Sequence, residues 1–287
     1  MSLSTPADTP AKRARLAWLV GPATLWLTLF FLLPFATIIV YSFLTRSSTG
    51  GVVWQFTLDN YAKLLGDPIY LLIFWRSIWM GLLTTAVCLL ISYPLALFIA
   101  RQSPRWRTVL LFLVLIPFWT NFLVRTYAWM VILNNNGLIN NIVTSLGGER
   151  LTLLNTQGAV LLGLVYGELP YMVLPIYASI DRFDFTLLEA AADLGASRWR
   201  AFLRVMLPLT APGIAAGSVL VFIPTAGNYI VPAMLGGGKV TLIGNLLEQQ
   251  FGDAQNQPLG SAAGLLVMLL LTAGVFLYFR VTTEEDR

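Results

Sequence analysis

EAAADLGASRWRAFLRVMLP, Glu189 to Pro208, is a compact charged segment in a chain that is otherwise strongly apolar. Of its 287 residues, 57% are hydrophobic and only 11% are charged, with a mean hydropathy of +0.73. A soluble domain carries about 25% charged residues, and no soluble fold of this size buries so much apolar side chain. The composition therefore points to an all-α membrane protein, and the segment has to be a feature outside the bilayer. The sequence has no His, and its one Cys, Cys88, lies within an apolar run. This excludes imidazole metal sites, histidine bases and a disulfide framework within the chain.

A spanning helix needs about 20 mostly apolar residues. Six stretches qualify, at roughly 16–44, 72–100, 108–133, 159–181, 213–235 and 261–280. The first follows Lys12-Arg13-Ala14-Arg15 but is too long for a signal-peptide core, so it reads as an uncleaved span. Pro34, Pro94, Pro117, Pro175 and Pro224 fall inside spans, as membrane helices tolerate when neighbours satisfy the freed backbone groups. With the N-terminus inside, the inner segments hold Lys12, Arg13, Arg15, Arg101, Arg105, Arg107, Arg182, Arg198, Arg200, Arg204, Arg280 and Arg287. The outer ones hold Arg46, Lys63, Arg76, Arg150 and Lys239, an asymmetry that places both termini in the cytoplasm. The expected organisation is a disordered tail over 1–15, one six-helix transmembrane domain over 16–280 with an inner loop at 182–212, and a tail over 281–287. Outside, FTLDNYAKLLGDP reads as a short helix starting near Thr57–Asp59, and NNNGLINN as a turn using positive φ at Gly137.

The opening segment then lies between spans four and five on the cytoplasmic side. Asp184 or Thr186 caps a helix over 187–194, Gly195 ends it, and Ser197 caps a second helix. In that second helix Trp199, Phe202, Leu203 and Met206 form one apolar stripe, expected to pack against the bundle, and Leu207-Pro208 ends it. On physics alone two readings stand: an amphipathic elbow resting on lipid, or a docking element presenting Glu189, Asp193 and small alanines to a partner.

Here the sequence resembles a family. Membrane subunits of ABC importers carry E-A-A, three residues, G, nine residues, I-x-L-P on a cytoplasmic loop. This chain has Glu189-Ala190-Ala191, then Gly195, then Val205-Met206-Leu207-Pro208, departing only in Val205. FTLDNY, LIPFWTNFLVRTYAW, NNGLINN, GLVYGELPYMVLPIYASID, LEAAADLGASRWRAFLRVMLPLTAPGI and MLGGGKVTLIGNLLEQQF resemble the spermidine/putrescine branch. The resemblance implies a type I importer fold in a bacterial inner membrane and a second permease subunit, giving a heterodimer. It also implies a dimeric cytoplasmic ATPase and an extracytoplasmic binding protein. It assigns ATPase coupling to Glu189, Ala190, Ala191, Asp193, Gly195, Ala196, Ser197 and Arg198.

The chain has no phosphate loop of its own. The nearest candidate, LGGGKVT, puts Ala233 where the first Gly belongs and Val240 after Lys239. Its glycines read instead as an outer turn. ATP and Mg are thus expected in the partner ATPase, no cofactor is expected on this chain, and without a nucleophile–base pair no enzyme activity is expected.

Arg125 and Glu168 are ionisable residues inside spans. Taken as straight helices rising about 1.5 Å per residue, their spans put both some 12–14 Å deep. They form a candidate ion pair; alternatively Glu168 faces the path and attracts a cation. Other candidates for the path are Trp119, Asn121, Tyr127, Tyr166, Tyr171, Asn228 and Tyr229, for which packing or an interfacial belt is the competing role. Asp181 reads as a cap for the elbow. The leading function is polyamine import. The alternatives are the same importer class with iron, opine, thiamine, phosphonate or sulfate as substrate, or a self-sufficient secondary carrier, which the lack of an internal repeat disfavours.

Overall fold

The structure, a computed structural model, describes residues 20–47 and 50–284. The tail at 1–15, its basic cluster and the start of the first span lie outside the described residues, as do residues 285–287. The chain divides into two compact units. One comprises the residues up to Leu65 with Gln250–Leu266, and the other Gly66–Gln249 with the residues from Val267 on.

In the first unit, helix α1 spans Val20–Ser42. Within it the turn Thr28–Leu32 is widened, and the Leu33 N–H donates to Thr28 O, five residues back, immediately before Pro34. A proline lacks the N–H of a regular helix and clashes with the carbonyl four residues earlier; the wider turn removes both conflicts. A hairpin that the span pattern did not suggest follows, β1 (Leu44–Arg46) antiparallel to β2 (Val52–Phe56). Phe43 stacks on Phe56 with ring centroids 5.6 Å apart, and Arg46 donates to Ala254 O at 2.6 Å. The expected outer helix is α2, Asp59–Gly66, started by Thr57 Oγ1, which accepts from the Asp59 N–H.

The second unit is built on three long helices: α3 (Pro68–Ala100), α7 (Gln157–Asp181) and α9 (Arg198–Gly227). Between α3 and α7 come α4 (Pro104–Leu115), a tight turn at Ile116–Trp119, α5 (Phe122–Leu133) and α6 (Leu138–Ser145). The elbow helix α8 is Thr186–Asp193, and α10 (Ile230–Gly236), α11 (Ile243–Phe251) and α12 (Gln257–Glu284) complete the chain. Helix α12 carries residues 281–284, which the sequence had put in a tail.

Helices α3, α7 and α9 pack on one another through Cys88, Ala96, Met172, Ile176 and Val221, all buried. A second cluster joins Val160 and Leu164 of α7 to Val231 and Leu235 of α10. Lipid tails are as apolar as leucine, so such helices associate by close van der Waals packing and interhelical hydrogen bonds. Both are present. A Cβ at Gly213 would collide with Ser179 and the Pro175 carbonyl, and one at Gly217 would lie 2.7 Å from Met172 Sδ. The Tyr93 hydroxyl of α3 and the Thr210 hydroxyl of α9 share a buried hydrogen bond of 2.9 Å.

Three expectations need correction. The third span, taken as one straight helix over 108–133, is broken at Thr120–Asn121, where the segments Pro104–Trp119 and Phe122–Ser145 bend by 88°. Among the described residues, five helices are long and apolar enough to cross a membrane, or six if this bent pair is one span. The fifth span is also broken: α9 ends at Gly227, and Asn228 begins α10 by accepting from the Val231 N–H at 3.0 Å. Gly137 has φ −80°, not a positive value; what demands glycine there is proximity, since a Cβ would collide with the carbonyls of Val131 and Ile132.

Because Gly213 sits where two backbones meet, Gly213→Leu is expected to destabilise the α7–α9 contact by about 1–3 kcal/mol. A lowered thermal midpoint in detergent would register this; an unchanged midpoint would mean that the two helices are not held so closely.

Candidate functional site

The elbow begins as the sequence suggests. Asp184 Oδ1 accepts from the Thr186 backbone N–H at 3.0 Å and from its hydroxyl at 2.8 Å, starting α8. At the other end Gly195 has φ +82°. Its N–H donates to Ala192 O, and that of Ala196 to Ala191 O, which is the paired closure of a helix on a left-handed glycine. Ser197 Oγ then accepts from the Arg200 N–H at 3.4 Å, starting α9. Every one of these bonds is local, which is why short-range spacing predicts them.

The second half of the elbow differs from expectation. Pro208 does not end a separate helix; α9 runs unbroken through it. The turn Phe202–Met206 is widened so that the Leu207 N–H donates to Phe202 O, the same accommodation made before Pro34. The extra residue in that turn divides the predicted stripe. Met206 is buried and Phe202 meets Tyr93 edge-on at 5.4 Å, whereas Trp199 and Leu203 remain exposed. The elbow is therefore joined rigidly to a membrane helix at one end. At the other, Phe183, Phe185 and Leu188 pack into the core with Ile180 and Met206.

The side chains predicted to couple remain available. Glu189, Ala190, Asp193, Gly195, Ser197 and Arg198 are exposed, and Ala191 and Ala196 are half-buried. Leu194 was not singled out, yet it is 89% exposed at the apex. Beneath the elbow a cleft of about 570 Å³ opens between Leu97 and Arg101 of α3 and Leu188, Glu189, Ala192 and Phe202. The Arg101 guanidinium lies 5.8 Å from the centre of the Phe185 ring. Asp181 does not cap the elbow. It accepts from Arg107 Nη1 at 2.7 Å and from the Tyr177 hydroxyl at 3.3 Å, tying the start of α4 to the end of α7.

A second site lies at the break in the third span. Asn121 caps α5, its Oδ1 accepting from the N–H groups of Leu123 and Val124. At the break the Pro117 carbonyl accepts from the Thr120 hydroxyl at 2.7 Å and from Arg125 Nη1 at 2.8 Å. The guanidinium also lies over Phe118, Phe122 and Tyr166, 5.5 to 5.7 Å from each ring centre. Arg125 and Glu168 form no ion pair within 4.0 Å, although both line one cavity of about 320 Å³. The depth estimate assumed straight helices, and the 88° bend removes that premise.

Of the other path candidates, Tyr171 lines this cavity and meets Phe118 edge-on at 4.9 Å. Tyr166 packs against Trp129 at 5.4 Å. Asn121 and Asn228 are engaged as helix caps. Trp119 leans on Phe112 and is 75% exposed, Tyr127 is 56% exposed, and the Tyr229 carbonyl accepts from Asn245. The candidates do not form one cluster: Glu168 and Tyr171 line the cavity and the others do not.

Asp184 makes the elbow sensitive to acid. The two hydrogen bonds from Thr186 hold its carboxyl below the ordinary range. An acid shifted down stabilises the folded state where it is ionised; the contribution is complete above the ordinary carboxylate pKa and fades as pH falls through the lowered one. Amide exchange at Thr186, corrected for its intrinsic rate, should accelerate in that acid window and be fast at neutral pH in Asp184→Ala. Identical protection in both proteins would mean that Asp184 does not hold the helix start.

Comparison with known proteins now bears on this arrangement. Residues 92–283 match the family described as binding-protein-dependent transport system inner membrane component. The chain is 42% identical over 264 residues to the spermidine/putrescine transport system permease protein PotB of Haemophilus influenzae, covering 91% of this chain and 92% of that one. Against PotB of Escherichia coli (strain K12) the identity is 42% over 259 residues, 90% and 94% of the two chains. Among solved structures, a bacterial ABC transporter involved in the import of the acidic polysaccharide alginate superposes with a TM-score of 0.71 at 18% identity, covering 96% of this chain and 99% of that one. The MetNI methionine ABC transporter, in an inward-facing conformation, gives 0.57 at 18% identity over 80% of this chain and 100% of that one. At such identities the two structures establish the fold alone.

Proposed function

We infer the function of this chain from its kinship: it belongs to the family of binding-protein-dependent transport system inner membrane components. We propose that it is the permease subunit of an ATP-driven importer of polyamines of the spermidine/putrescine kind. The observation that carries the substrate class is 42% identity across nine-tenths of the chain to permeases named for those solutes. The chain then contributes half of the path, facing a second permease subunit, and makes or breaks no bonds. ATP and Mg act in a dimeric cytoplasmic ATPase, and a binding protein delivers solute from outside. With the bent pair counted as one span, both termini are cytoplasmic, and so is the elbow.

The elbow suits force transmission for a mechanical reason. Its first helix presents Glu189, Ala190, Asp193 and Leu194 outward, while its second half is continuous with α9. A push on the exposed helix therefore reaches the membrane helix through the Gly195 turn, and beyond that turn the helix is unbroken. Gly195 is the one residue whose backbone the turn requires in the left-handed region. Glu168 and Tyr171 are the path candidates that share a cavity, and of the predicted path we retain these two.

Three measurements test this reading. A strain lacking polyamine uptake, supplied with this chain and its partner subunits, should regain uptake of labelled putrescine and spermidine; restored uptake of another solute alone would overturn the substrate class. Transport by this chain alone in liposomes would overturn the importer reading. Gly195→Val forces a β-branched residue into the left-handed region at a cost of about 1–2 kcal/mol. It should leave membrane insertion intact and abolish uptake while the ATPase still hydrolyses ATP. Normal coupling in that variant would mean that the elbow is not the docking element.

A further inference from the structure

Among the described residues, Glu168 is the one acidic residue in the interior of a spanning helix. It is 93% buried, at 7% relative exposure. Its Oε2 has no hydrogen-bond partner among the described residues. An uncompensated carboxylate in such a place is costly, by several kcal/mol even after relaxation, and in a membrane helix it marks a site for a counter-charge. Arg125, the counter-charge within the chain, lines the same cavity but makes no hydrogen bond or ion pair to Glu168; its Nη1 donates to the Pro117 carbonyl and its guanidinium lies over three aromatic rings. Glu168 thus lines the cavity together with Phe118, Phe122 and Tyr171, and its unpartnered Oε2 is itself closed to solvent.

We propose that this cavity is a subsite for one primary ammonium group, held by Glu168 and walled by Phe118, Phe122 and Tyr171. An ammonium offers three N–H donors and a compact positive charge. The carboxylate supplies the acceptor, and the aromatic walls keep the contact away from water. Arg125 sets the limit. With this positive charge on the same wall, the cavity's single carboxylate can balance at most one ammonium, so a polyamine enters end-on, one terminus at a time, with its methylenes and further charges outside the cavity. The assignment rests on the polyamine reading above and adds to it which residue meets the solute and through which group.

The test uses the reconstituted complex with its binding protein and ATPase, wild type and Glu168→Gln side by side. Glutamine keeps the size and removes the charge. Maximal uptake should fall about tenfold, the scale of one lost charge-assisted hydrogen bond, with complex abundance and binding-protein-stimulated ATP hydrolysis unchanged. A single contact predicts the same fold loss for putrescine and for the more highly charged spermidine. Unchanged uptake overturns the site, and a loss that grows with solute charge overturns end-on entry in favour of a general field. If Glu168→Gln does not assemble, Gly167→Leu carries the test. Gly167 lines the cavity, and its Cβ would meet only Phe122 at an ordinary 3.8 Å. It should assemble and block uptake of both solutes, and normal uptake would overturn the site. A wild type that carries neither polyamine fails the substrate reading instead, so the two failures are told apart.

Discussion

Close backbone contact between α7 and α9, permitted by Gly213 and Gly217, is the constraint on which the rest of the second unit depends. In a bilayer no hydrophobic gradient drives two helices together, so their association has to come from surface fit and a few polar bonds. The glycines supply the fit, and the Tyr93–Thr210 hydrogen bond joins α3 to the same assembly. Helix α7 carries Glu168 and Tyr171 within its span and leads into the elbow at its end; α9 is the continuation of that elbow. The two helices that frame the elbow are thus in close backbone contact with each other. Displacement of the elbow has to move them as a pair or shear the contact between them.

The widened turns before Pro34 and Pro208 solve one problem twice. A proline inside a helix normally bends or ends it. Here the five-residue hydrogen bond ahead of it lets the helix pass, and the elbow gains a rigid connection to the membrane where a kink or loop would have absorbed motion. The break at Thr120–Asn121 does the reverse. It interrupts a helix and turns the Pro117 carbonyl toward Arg125, while Glu168 Oε2 on the neighbouring helix stays without a hydrogen-bond partner.

Legibility in the sequence divides along the same line. The first helix of the elbow could be read from Asp184, Gly195 and Ser197 because caps and left-handed glycines act within a few residues. The apolar runs located the long helices because a bilayer-length pattern needs no tertiary knowledge. Pro208 misled, since proline signals a stop unless the preceding turn widens, and no residue type announces that. Pro117 looked like the other span prolines, although Asn121 was in hindsight a cap signal. The Arg107–Asp181 bridge joins residues far apart in sequence, and Arg125 pairs with a backbone carbonyl; neither contact leaves a pattern. The hairpin at 44–56 was masked by the span before it, although Gly50-Gly51 between extended residues is a turn signature.

The central claim is that the exposed face of Thr186–Asp193 is where another subunit's ATP cycle is felt. The most direct measurement is site-specific crosslinking in the assembled complex, with a single cysteine at position 190 or 193, both exposed, and Cys88 replaced by serine. The account predicts a crosslink to the ATPase subunit whose yield changes when ATP is added. A cysteine there that never reaches the ATPase and is instead quenched by lipid-phase reagents would contradict it, and would return the elbow to the membrane surface.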